Sequence, residues 1–123
     1  LLGVDYYYEG DPAVLAACME KDYQEILIDF GKVREEVFPE WLRCTKKVLV
    51  ADLSEWKLEA FLGLLAEKGE SAKEWICMTA FGSEIMKQEI ERQFHISLKQ
   101  IPLSADAFSV DIRTMEWFAD IFK

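Results

Sequence analysis

The sequence predicts an α/β fold in which a mostly parallel sheet is covered by helices on both faces. Two observations carry this. Apolar bursts of strand length alternate with stretches of helical period along the 123 residues, and each parallel pair of strands needs a crossover that the intervening helices supply. The bursts "ILID" (26–29), "VLVA" (48–51) and "WICMT" (75–79) are also apolar at successive positions, the pattern of strands buried on both sides. A composition that is 51% hydrophobic suits a single globular domain spanning 1–123.

The elements follow in order. "LLGVDYYY" (1–8) reads as a first strand, with its three tyrosines equally at home on an edge or in a loop. "DPAVLAACMEKD" begins with Asp11 as N-cap and Pro12 at the first helical position, so it reads as a short helix. "QEILIDF" (24–30) is the next strand. Over 34–45, Val37, Trp41 and Leu42 recur at helical spacing, and Pro39 fits a first turn. "KKVLVAD" (46–52) is a strand. In the helix that follows, Ser54 is the cap, Leu58, Phe61, Leu62 and Leu65 form one stripe, and Gly69 is the stop. "EWICMTAF" (74–81) is a strand, and 82–94 a helix with Ile85, Met86, Ile90 and Phe94 inward. "ISLKQIP" (96–102) is the last strand, and the second half of the closing segment is helical.

Charge and cysteine content narrow the function. With 23 acidic against 14 basic residues the net charge is -9, a field that repels phosphate backbones, so direct nucleic-acid binding is not expected. Cys18, Cys44 and Cys77 stand far apart beside a single histidine, His95, which supports neither a zinc site nor a disulfide framework and makes a reducing, cytoplasmic setting the default. His95 and the cysteines read as structural. The longest apolar run, Ala13–Met19, is seven residues, too short for a membrane span. The chain opens Leu1-Leu2 without methionine, as a fragment of a larger domain or a trimmed product would.

In a parallel α/β sheet ligands gather at the carboxyl ends of the strands. Here those ends are Asp29, Asp52, Thr79 with Ala80, and Pro102 with Leu103. Two readings stand for each. Asp29 either delivers its carboxylate to a phosphate or a metal or caps its own turn. Gly31 is a switch hinge or an ordinary turn glycine.

From residue 21 to 110 the chain resembles the carboxyl-terminal half of the ParA/MinD family of P-loop ATPases. The pieces that carry the likeness are "KDYQEILIDFGKV", "TKKVLVADLSEWKLEAFLGLLAEKG", "EWICMTAF" and "GSEIMKQEIERQFHISLKQIPLSADAFSV", in family order. The resemblance implies a P-loop NTPase-like, Rossmann-like three-layer fold. It also implies Asp29 as the strand-end catalytic carboxylate, touching metal through water, and Gly31, Thr79, Ala80, Pro102 and Leu103 around a nucleotide. The departures matter as much. No Gly-rich loop with lysine occurs, so a triphosphate has no cradle. Thr79 stands where the family places an adenine-binding Asn, and Asp29-Phe30-Gly31 lacks the usual proline.

The leading expectation is therefore a degenerate or truncated family member that binds proteins, with no cofactor in this chain alone and a protein partner or a second copy as its target. An active ATPase, using ATP and magnesium through a phosphate loop in a missing upstream half, is the alternative. A receiver-like phosphoacceptor domain, prompted by Asp29, Thr79 and Lys99, comes last. Trp56, Trp75, Trp117 and Tyr6-Tyr7-Tyr8 are the candidate contact aromatics, provided that they are exposed together.

Overall fold

The computed structural model describes residues 3–8, 10–104, 106 and 108–123. The chain divides into two units, Leu1–Phe38 and Pro39–Lys123, and each is described by itself.

The first unit contains α1, Pro12–Glu20. It starts as the sequence expects. The Asp11 Oδ1 atom accepts from the Val14 amide at 2.8 Å, and Pro12, which lacks an amide hydrogen, takes the first helical position. Beyond α1, Tyr23 donates to Asp5 Oδ2 at 2.6 Å, and Lys21 Nζ donates to the Tyr7 hydroxyl at 2.8 Å.

The expected strand 24–30 does not form. Among the described residues Gln24–Phe30 pairs with no strand, and Leu27 is 92% exposed with Ile26 and Ile28 also exposed. Apolar residues favour a strand only when a neighbouring strand takes up the backbone N–H and C=O groups, and none does so here. The expected strand over 1–8 is likewise absent from residues 3–8; Leu1 and Leu2 lie outside the described residues.

The second unit is an α/β sheet. Its strands are β1 (Val48–Ala51), β2 (Ile76–Thr79) and β3 (Leu98–Gln100), parallel and in the order β1-β2-β3. Helix α2 (Phe38–Arg43) precedes β1, with Pro39 in its first turn; α3 (Glu55–Lys68) joins β1 to β2, and α4 (Glu84–Phe94) joins β2 to β3. A helix α5 (Ile112–Ile121) closes the chain. Both crossovers step the same way along the sheet, so right-handed connections put α3 and α4 on one face.

Register and pleat then sort the side chains. Leu49, Cys77 and Leu98 are aligned across the strands and face α3 and α4, where they pack with Phe61, Leu65 and Ile90. The next row, Val50, Met78 and Lys99, points to the opposite face. There Trp117 and Ile121 of α5 line a groove with Ile76 and Lys99. Lys46 Nζ donates to the Phe122 carbonyl and, at 3.1 Å, to that of Lys123, tying the end of α5 to the segment before β1.

Two expectations need correcting in this unit, and a third needs a detail added. "VLVA" is an edge strand and not a central one, and Val50 is 61% exposed, because no strand lies outside β1 among the described residues. Ile85 and Met86 of α4 are exposed, and its inward stripe is Ile90 with Phe94, which follow one turn later and reach the core. Ser54 holds the N-cap position of α3, but its hydroxyl has no hydrogen-bond partner there. The α4 cap is Ser83, whose hydroxyl accepts from the Met86 amide at 3.1 Å.

Candidate functional site

At the carboxyl ends of the strands the side chains are held by their own loops. Thr79 is fully buried, and its hydroxyl donates to the Phe81 carbonyl at 2.8 Å. Its carbonyl accepts from the Ile101 amide at 2.8 Å, and the Ala80 carbonyl takes Gln100 Nε2 at 2.9 Å. The Leu53 amide donates to the Phe81 carbonyl at 3.3 Å, joining the β1 and β2 exits. Gly82 sits at this junction with φ +152°, and a Cβ there would lie 2.7 Å from Leu53 Cδ1.

Asp52, at the end of β1, is equally occupied. Its Oδ1 accepts from the Ser54 amide at 2.9 Å, and its Oδ2 lies 3.4 Å from Lys57 Nζ. Its carboxyl is held below the usual range chiefly by the Ser54 amide, with Lys57 a smaller cause. That is the chemistry of a turn brace at the start of a helix, where a negative charge also suits the helix dipole.

The residues named by the sequence fall in both units. Thr79 and Ala80 are brought beside Gln100 and Ile101, with Pro102 next in the chain half-buried and Leu103 exposed. Asp29 and Gly31 belong to the first unit, where Asp29 Oδ1 accepts from the Gly31 amide at 2.8 Å and Gly31 takes φ +69°. This is an Asx turn, the capping role that stood beside the catalytic one.

As placed, these groups do not fit a nucleotide. Thr79 has one hydroxyl proton, already given to Phe81, where purine recognition needs a donor and an acceptor together. Among the described residues no group of three or more His, Cys, Asp or Glu side chains could hold a metal ion. Cys77 is fully buried, and burial pushes its thiol up to about 11, away from the range of a nucleophile. No described helix is long and apolar enough to cross a membrane.

The surface of the second unit is different in kind. Trp56 is 88% exposed on α3. Along α3, beside Gln93 and Phe94 at the end of α4, lies a shallow, open trough of about 490 Å³, floored by Leu58, Leu62 and Phe94 and edged by Glu55 and Glu59. Reading the sequence for strand ends passed over this feature. Its signal was there all the same: Gly63 in the middle of an otherwise strong helix, and two glutamates one turn apart.

No protein-family model matches the chain, and no curated protein or solved structure matches it either.

Proposed function

We propose that the chain is a degenerate or truncated ParA/MinD-like domain that acts as a protein-interaction module and does not hydrolyse nucleotide by itself. The observation that carries the reading is α5. Thr114, Trp117 and Ile121 lie on one side of it and are half-buried, whereas Ile112, Met115, Phe118 and Phe122 form a second stripe that is exposed throughout. A single surface helix needs only one apolar stripe, the one that meets the sheet. A second stripe of this size marks a contact surface.

Burying two of these aromatics against a partner, a second copy or another protein, would contribute on the order of 3 to 6 kcal/mol before association costs. The strand-end groups support the same reading from the other side, since Thr79, Ala80 and Asp52 are already bonded within their own loops. The test is magnesium-dependent ATP turnover by the purified chain. None is expected. Turnover that disappears in Asp29→Ala would replace the module with an enzyme.

A further inference from the structure

Resting on that reading of the chain as a contact module, we propose that the trough along α3, beside the end of α4, receives an amphipathic, basic helix of a partner protein. Four features of the trough select this occupant.

The floor is apolar. Leu58 and Leu62 of α3 and Phe94 of α4 are only half-buried, so the face they turn to the trough is a hydrophobic stripe without a cover among the described residues. One wall is low. Gly63 has no side chain and Ala66 only a methyl group, and a Cβ built on Gly63 meets nothing within 4 Å. A backbone can therefore approach α3 closely, as it does where small residues line a helix crossing.

The rim is negative and unbalanced. Glu55 and Glu59 stand at i and i+4, a spacing at which like charges repel along a helix, and neither forms an ion pair with a described residue, while the nearby Lys57 is drawn to Asp52. A cationic partner would relieve that repulsion. Neutral or acidic chains would not.

The backbone of the occupant must also be satisfied. From Leu58 to Gly63 the lining is the interior of α3, where N–H and C=O groups are paired within the helix, so it offers no strand edge to an extended peptide. A helix bonds its own backbone and can rest on an apolar floor without leaving polar groups bare. From Glu55 to Ala66 the trough follows α3 for about three turns, room for leucines at i, i+3, i+4 and i+7 with basic residues on either side. Trp56 lies next to Gly63 on the helical wheel and is 88% exposed, in place to close over one flank of such a helix.

The experiment titrates the full chain with a synthetic helical peptide of about 18 residues, five turns, carrying one leucine stripe flanked by lysines. A second peptide has glutamate for every lysine. The proposal expects saturable binding of the lysine peptide only, weakening as salt is raised. Glu55→Lys with Glu59→Lys should weaken it roughly tenfold or more, and Gly63→Trp, which fills open space in the trough without touching the core, should abolish it. A control exchange on the other helix, Glu84→Lys with Glu89→Lys, should change it little. Equal binding of both peptides, or equal loss from the control exchange, would overturn the proposal, because the acidic surface at large would then be the attractant. Undiminished binding to Gly63→Trp would overturn it as well. Nucleotide turnover is measured separately: a peptide that fails to bind removes the trough proposal alone, and turnover removes the module reading alone.

Discussion

Gly82 presses against Leu53 so closely that a Cβ on the glycine would lie 2.7 Å from Leu53 Cδ1 and 2.8 Å from Leu53 Cβ. The side chain of Leu53 cannot swing clear, because its own Cβ is part of the obstruction. Gly82 also holds φ +152°, which L side chains rarely adopt. Gly82→Ala should therefore cost about 2 to 3 kcal/mol, read as a lower denaturation midpoint with an unchanged slope. A variant as stable as the parent would show that the β1 and β2 exits are not locked together here.

His95 ends α4 in the left-handed conformation, at φ 55° and ψ 43°. A side chain with a Cβ is strained there, and glycine is not. His95→Gly should stabilise the fold by ~0.5–1 kcal/mol. Thermal unfolding of the two proteins side by side decides it. Destabilisation would mean that the imidazole makes a contact worth more than the strain.

Cys77 gives the fold a pH dependence in alkali. Burial pushes the folded thiol up to about 11, whereas an unfolded thiol ionises near its ordinary value of about 8.5. Between those values the unfolded chain has released a proton that the folded chain keeps. Stability is therefore full below about pH 8.5 and declines as pH rises toward 11, by about 3 kcal/mol in all. Denaturant titrations at about pH 8 and about pH 10.5 should show a smaller decline in Cys77→Ala than in the parent. Equal declines would assign the effect to other groups.

Much of the second unit was legible in the sequence. Helix caps and stops are local chemistry, so Gly69 falls where expected, as do Asp11 and Pro12 at the start of α1 in the first unit. The stripe of Phe61 and Leu65, and the parallel strands "VLVA", "ICMT" and "LKQ", follow from period and alternation. What pattern could not supply was pairing. Ile26, Leu27 and Ile28 have strand composition, yet a strand is defined by its neighbours, and these residues have none among those described. The same lack leaves β1 at an edge. At the candidate site, sequence placed Thr79 and Ala80 correctly at a strand end, but whether a hydroxyl faces a ligand or its own loop depends on one 2.8 Å bond to Phe81.

The central claim, that this chain works through its surface and not through a nucleotide pocket, is tested most directly by sedimentation velocity of the purified chain with and without ATP and magnesium. The account predicts the same distribution of species in both, with any self-association reduced by Phe118→Ser in the exposed stripe of α5. Dimers that form only when nucleotide and magnesium are present would contradict it.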